Sequence, residues 1–523
     1  MAEKVIVDPV TRIEGHLKIE VEVDGGKVVD ARSSGTMYRG FEQLLIGKDP
    51  RDALRITQRI CGVCNAIHGI TSALNLDNAF GATVPDAGRI IRNIIFASQF
   101  LADHPLHFYH LAALDYLDVL AVAKYAGKDP ALLAVKDKIV GLVKANDTYP
   151  LTPRYEPDAF SISDPDIVIT AVAHYLQALE IRKKAHEMMA LWGGRVPFFQ
   201  NVVAGGVGIR PTVSRIAETQ WRLKEITNFI ENVYVKDVIA LGTGPLKPLH
   251  DLKVGFGVGN YISWGVFDQG KSGEVTTENR SFLKPGIITN LNLTNVEVPD
   301  VNKVTEDVKY AWYKSGSGLN PKEGETDPDA KKAGGYSWLK APRYDGKPRE
   351  GGPLARMLIT QEKGFMDLVS ELGVWPSAVA RHAARAYETL LIAKEFSKWL
   401  DQLAEIVNKD PNAPVCDDKP VPTKAEGYGV VDAPRSANGH WITIEGGKIK
   451  RYQLVVASTW NLCPRDDKGQ RGPVEEALIG TPVPDPKNPN NIVRVVRSFD
   501  PCLACSVHII HPETNEILKF SVT

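Results

Sequence analysis

Cysteine is scarce in this chain. Six residues in 523 are too few for a secreted scaffold stapled by disulfides. An excess of one charge is also lacking. Lys and Arg total 62, Asp and Glu total 63, and no long basic or acidic block interrupts that balance. A nucleic-acid partner and a charged membrane surface are therefore not expected. No apolar run approaches the ~18 residues of a membrane-spanning helix, so no direct membrane insertion is expected either. The start, Met-Ala-Glu-Lys-Val-Ile-Val-Asp-Pro, has no basic region and no apolar stretch, so no signal peptide is visible. What remains is ordinary: 43% apolar and 24% charged residues, enough for a large core.

Four of the six cysteines form two C-x-x-C clips, each followed by a histidine. The first is Arg59-Ile60-Cys61-Gly62-Val63-Cys64, with His68 beyond it. The second is Asp500-Pro501-Cys502-Leu503-Ala504-Cys505, with His508 beyond it. Four thiolates can hold one soft metal centre of zinc, copper, nickel or iron. Zinc knuckles close over about 15–20 residues, whereas these clips are separated by nearly the whole chain. Length alone suggests roughly three domains at about 150 residues each, but the clips argue for one integrated unit. Spacing leaves a redox or catalytic metal, a structural zinc and unrelated thiols all open. At 100° per residue, Cys61, Cys64 and His68 fall on one helical arc. His68 alone reads as an ordinary core histidine. Cys416 and Cys463 are isolated, with no expected role beyond packing.

The pattern predicts an α+β chain, mainly helical. Alternation at Leu17, Ile19, Val21 and Val23, then Asp24-Gly25-Gly26, predicts a hairpin over residues 16 to 34. A second is predicted from Trp441 through Gly446-Gly447 to Val456. Long helices are expected over residues 86 to 126, broken near Pro105, and over 164 to 193, 212 to 240 and 377 to 408, the last capped by Ser377. Residues 241 to 350 are rich in Gly, Pro and Asn and read as loops with short strands. Gly255-Phe256-Gly257-Val258-Gly259 is half of a nucleotide fingerprint with its third glycine misplaced, and no phosphate site is expected there.

The clips and several further motifs resemble the large subunit of nickel–iron hydrogenases, most like the respiratory uptake branch. Besides R-x-C-G-x-C-x-x-x-H and D-P-C-x-x-C-x-x-H, the matching motifs occur in order. They are Thr11-Arg12-Ile13-Glu14-Gly15-His16, Arg39-Gly40-Phe41-Glu42, His107-Phe108-Tyr109-His110-Leu111, Lys340-Ala341-Pro342-Arg343-Tyr344 and Ala433-Pro434-Arg435. The likeness runs from residue 5 to the C-terminus. It implies a central bundle of long helices flanked by small antiparallel sheets. It also implies nickel held by Cys61, Cys64, Cys502 and Cys505, with Cys64 and Cys505 bridging to an iron that carries CO and two cyanides.

The resemblance implies further roles. His68 would donate a hydrogen bond toward a bridging sulfur, and Glu14 would carry protons to and from a terminal thiolate. Arg435, Asp103 and Asp500 would form a charged canopy. Pro434, Arg435 and Ser458 would surround the diatomic ligands, with Ala457 where many relatives have proline. Glu42, the Leu454 carbonyl and His508 would bind magnesium. A maturation protease would cut after His508, leaving 1–508 as the catalytic unit and removing 509–523. Electrons would pass to an iron–sulfur small subunit, and through it to a membrane cytochrome. The implied location is periplasmic or membrane-associated by co-export with that subunit, and cytoplasmic as the precursor. The implied reaction is reversible oxidation of H2, in the uptake direction. A hydrogen sensor of the same fold, or a non-catalytic zinc protein, are the alternatives.

Overall fold

A computed structural model of the chain describes residues 3–149, 151–152, 155–314, 316–373 and 375–503. Its first sheet is antiparallel, in the order β1 (Glu3–Val7), β2 (Leu17–Asp24), β3 (Lys27–Gly35). Leu17, Ile19, Val21 and Val23 are buried on one face, as their alternation predicts. Gly25 and Gly26 turn the hairpin at φ 56° and 73°, a left-handed pair that glycine adopts without steric cost.

Five long helices supply most of the core: α1 (Asn65–Phe80), α2 (Asp86–Leu106), α3 (Pro165–Gly193), α4 (Val213–Phe229) and α5 (Ala378–Lys409). Three of their starts carry side-chain caps, that at Ser377 as the sequence predicts. Asp164 accepts from the Asp166 and Ile167 N–H groups, Thr212 from that of Arg215, and Ser377 from that of Ala380. Helix α2 is buried on nearly every side and packs between α3 and α5. Pro105 does not end it. The proline sits in the last turn, and the chain continues as a π-helix over His107–Ala112. The wider winding accommodates the missing N–H, so the proline changes the pitch instead of stopping the helix.

A second sheet runs β4 (Lys424–Asp432), β5 (Ala437–Glu445), β6 (Lys448–Val455), again antiparallel. The β5–β6 hairpin is the expected one. Strand β4 is not visible in the pattern, because Gly427 and Gly429 interrupt its alternation. Those glycines let β4 lie against the backbone of α1. A Cβ at Gly429 would stand 2.5 Å from Asn75 N and from Thr71 O. Gly429→Ala therefore destabilises the fold by about 1–3 kcal/mol in a thermal or denaturant melt, since only backbone movement can relieve the contact. Residues 241 to 350 hold short paired strands, Tyr261–Val266 with Leu283–Ile288 and Val304–Asp307 with Ala341–Tyr344. The glycine run before Tyr261 leads into a strand, with no helix to receive a phosphate.

Glu14 meets the last described residues. The Leu503 N–H donates to the Glu14 carbonyl at 2.7 Å, and the Glu14 N–H to the Pro501 carbonyl at 3.3 Å. Glu475, in the short helix Pro473–Leu478, ties that helix to β3, accepting from the Ser33 N–H at 2.9 Å and the Tyr336 hydroxyl at 2.8 Å. Burial nevertheless pushes its carboxyl up to about 7. The fold thus prefers the neutral acid. Glu475 favours folding most below its unfolded pKa of about 4.5, and that contribution falls as pH rises to about 7. Glu475→Gln removes this loss. The stability gap between variant and parent shifts in favour of the variant by on the order of 3 kcal/mol between pH 4 and pH 8, read from paired denaturant titrations.

Candidate metal centre

Three of the four clip cysteines converge. Cys502 Sγ lies 3.3 Å from Cys61 Sγ and 3.2 Å from Cys64 Sγ, and all three residues are buried. Cys505 and His508 lie outside the described residues. The first clip does not ride on a helix. Cys61 is extended at φ −145°, ψ 134°, and Cys64, at φ −98°, ψ 40°, is the residue before α1. The helical-arc expectation fails because the sulfur itself organises the turn. The Val63 and Cys64 N–H groups point at Cys61 Sγ at 3.3 and 3.1 Å. His68 is in α1, one turn past Cys64, with Nδ1 3.3 Å from His440 Nε2.

The second clip follows helices α6 (Ala457–Leu462) and α7 (Asn490–Ser498). Asp500 turns the chain in the left-handed region, at φ 54°. The Cys502 N–H donates to Ser458 Oγ at 3.0 Å. Cys502 Sγ is 3.3 Å from Glu14 Oε2, and Glu14, half-buried, is the one carboxylate described in contact with the sulfurs.

Arg435 comes from the loop of residues 433 to 436 that joins β4 to β5. That loop is closed by the Ala433 N–H donating to the Ser436 carbonyl at 2.7 Å. Arg435 Nη1 donates to Asp103 Oδ2 at 2.9 Å, and Nε lies 3.2 Å from Asp500 Oδ1. Burial alone disfavours the cation, but Asp500, Cys502 and Asp103 outweigh it and hold Arg435 firmly charged. Burial pushes the Asp103 carboxyl up to about 6 against the pull of Arg435.

Several residues that fix this geometry have no sequence motif. Arg356 is fully buried. It grips Glu388 through two hydrogen bonds of 2.7 and 2.8 Å and donates to the carbonyls of Ala433 and Pro434 at 2.8 and 2.9 Å. Pro434 thus faces the anchor as well as Arg435. Gln99 donates to the Val63 carbonyl at 3.0 Å and to Asp103 at 3.2 Å. The i, i+4 spacing of Gln99 and Asp103 on α2 was the available signal.

Glu42 and Leu454 line one small cavity with Glu306 and Lys340. Burial raises the Glu42 carboxyl, opposed by Lys340. Lys340 itself donates to Glu306 at 3.2 Å.

Residues 39–508 match the family model described as nickel-dependent hydrogenase, and residues 4–34 match one described as HoxL-like. The chain belongs to the nickel-dependent hydrogenase family. It is a hydrogenase large subunit, the catalytic one, and an oxidoreductase. It is 43% identical to the periplasmic [NiFeSe] hydrogenase large subunit of Desulfomicrobium baculatum, over 98% of this chain and 96% of that one. It is 35% identical to the uptake hydrogenase large subunit of Rhizobium leguminosarum bv. viciae, over 99% and 97%. Among solved structures, the Ni-Fe-Se hydrogenase of D. vulgaris Hildenborough superposes with a TM-score of 0.83 at 41% identity, covering 97% of this chain and all of that one. The hydrogenase described here has cysteine at all four clip positions.

The residues fit a nickel–iron group. Three thiolates within one cluster are soft donors. Asp103 Oδ1, Ser436 Oγ and Asp500 Oδ2 are buried without a hydrogen-bond partner among the described residues, and Arg435 Nε meets Asp500 Oδ1 only as an ion pair at 3.2 Å. Buried polar atoms of this kind require partners, and small acceptor ligands would provide them for the donors. Ser458 accepts from Cys502, which leaves its own proton to donate. The cavity lined by Glu42 and Glu306 brings together two carboxylate residues, donors suited to a hard cation.

Proposed function

We propose that this hydrogenase subunit oxidises H2 at a nickel held by Cys61, Cys64, Cys502 and Cys505, beside an iron carrying CO and two cyanides. The observation that carries this reading is Glu14 at 3.3 Å from Cys502 Sγ, within a cluster of three buried thiolates. When bound, the two metals polarise dihydrogen, otherwise a very weak acid. The protein's own groups then handle the proton. Arg435 stays charged and is poorly suited to accept it. The Cys502 thiolate is the better base, and Glu14 receives the proton from it at hydrogen-bond range. Asp103 and Asp500 hold Arg435 above the site. The Arg435 and Ser436 donors, with the Ser458 hydroxyl, receive the cyanides. Glu42, the Leu454 carbonyl and His508 hold magnesium.

Electrons leave through a partner. Cys416 and Cys463 lie apart from the cluster, bonded to the Ala204 and Trp460 carbonyls respectively. The exposed Gly62, between two buried cysteines, is where an iron–sulfur small subunit reaches closest to the metals. A membrane cytochrome takes the electrons onward. No described helix is long and apolar enough to cross a membrane. Residence is periplasmic or membrane-associated by export with the small subunit, as the periplasmic relative suggests. Residues 1–508 act as one catalytic unit after a protease removes 509–523. The test is H2-dependent reduction of a low-potential dye by the purified two-subunit complex. Dye reduction that disappears in Cys61→Ser supports the reading. A fully matured complex that never reduces dye overturns it.

A further inference from the structure

Near the Arg435–Asp500 pair stands a second buried cation that the chemistry above does not use. Arg385, on α5, is only 1% exposed. Burying a guanidinium costs free energy unless an anion offsets it. The other fully buried arginines keep to that rule. Arg280, Arg343, Arg356, Arg435 and Arg494 each meet a carboxylate at 2.6 to 2.9 Å. Arg385 makes no ion pair with any described carboxylate. Its Nη2 donates to the Ser498 carbonyl at 3.0 Å and its Nη1 to the Arg381 carbonyl at 3.4 Å. Neutral donors can hold carbonyls equally, so these bonds do not account for the charge.

Its place in the fold does. Ser498 is the last residue of α7. Two residues on, the Asp500 N–H donates to the Arg497 carbonyl at 2.9 Å and closes a turn. The bond from Arg385 therefore pins the start of the turn that carries Asp500 and, beyond it, Cys502. Burial pulls the Arg385 guanidinium below its ordinary value, and the charge that opposes burial most is Asp500. Two atoms are left to satisfy. Arg385 Nε and Asp500 Oδ2 are both buried without a hydrogen-bond partner among the described residues. One is a donor and the other an acceptor, and a single water between them satisfies both. Asp500 Oδ1 already faces Arg435 Nε at 3.2 Å.

We propose that Arg385 is a positioning residue, joined to Asp500 through one bridging water, whose charge keeps the Asp500 carboxylate in place beside Arg435. This inference rests on the thiolate cluster being the hydrogenase centre, where the placing of Arg435 and Asp500 bears on the bound CO and cyanide. Asp500 then answers to two arginines. Arg435 reaches it directly, and Arg385 steadies both the carboxylate and the turn that presents it.

The test uses the mature two-subunit complex, read by the infrared bands of CO and cyanide, by H2 oxidation and by a crystal structure of the parent. Arg385→Gln offers a donor to the Ser498 carbonyl but removes the charge. Arg385→Lys keeps the charge, and Arg385→Met removes charge and donor together. In the Gln and Met variants the bands shift and H2 oxidation falls about tenfold. Arg385→Lys keeps the parent bands and recovers most of the rate. The Gln and Lys pair carries the test if Arg385→Met fails to fold. The parent crystal structure shows one water within hydrogen-bond reach of both Arg385 Nε and Asp500 Oδ2. Parent bands and parent rate in Arg385→Gln overturn the proposal, because they leave only a backbone clamp. Bands displaced as far in Arg385→Lys as in Arg385→Gln also overturn it, as does a parent structure in which the two atoms have separate partners. A parent without nickel and without diatomic bands would sink the hydrogenase-centre reading, while its crystal structure would still decide the contact between Arg385 and Asp500.

Discussion

Glu14→Gln lowers H2 oxidation by about 10²–10⁴-fold, the range expected when a positioned acid–base group is removed. Glutamine keeps the size of the side chain, and the backbone bonds from Glu14 to Pro501 and Leu503 do not depend on it. Nickel content and infrared bands therefore stay at parent levels while turnover collapses. Only the ability to hold a proton 3.3 Å from Cys502 Sγ is lost. Dye reduction and exchange of H2 with deuterated water measure the loss. Glu14→Asp shortens the side chain but retains the carboxyl, and recovers part of the rate. Parent-level turnover in Glu14→Gln would mean that protons leave by another route.

The second large effect is on the frame. Arg356→Met leaves Glu388 and Asp432 buried without their shared cation, which costs about 3–5 kcal/mol of stability. In the parent, burial raises the Glu388 carboxyl, but Arg356 and His104 outweigh it and bring it down to about 2. Its contribution is therefore present above an unfolded pKa of about 4.5 and is lost only as pH falls toward 2. Without Arg356, burial dominates, and the variant is weakest at neutral and alkaline pH. Adding Glu388→Gln to Arg356→Met removes one uncompensated charge and recovers part of the loss. The loop carrying Pro434 and Arg435 loses two anchoring donors at once, so the diatomic bands broaden or shift as well. Thermal unfolding at pH 5 and pH 8, with infrared spectra of the surviving complex, tests both arms.

What the sequence reveals here follows from how local each signal is. Ser377 announces its helix because a cap is a contact over three residues. Gly25-Gly26 and Gly446-Gly447 announce hairpins because positive φ is a property of single residues. Strand β4 is hidden because Gly427 and Gly429 answer to α1, some 350 residues earlier in the chain. The first clip departs from the helical arc because two N–H groups turn toward the Cys61 sulfur, which periodicity does not encode. At the site, Cys61, Cys64, Cys502, Glu14, Asp103, Asp500, Arg435 and Ser458 were nameable from motifs, and the structure gathers them. Arg356 and Glu388 were not, since they act through partners distant in sequence, and Gln99 showed only its spacing to Asp103.

The most direct measurement is metal content with infrared spectroscopy on the purified complex, before and after removal of residues 509–523. One nickel and one iron per chain, with bands of bound CO and cyanide in the cut form only, is the predicted result. Zinc alone, with no diatomic bands in fully cut material, would contradict it.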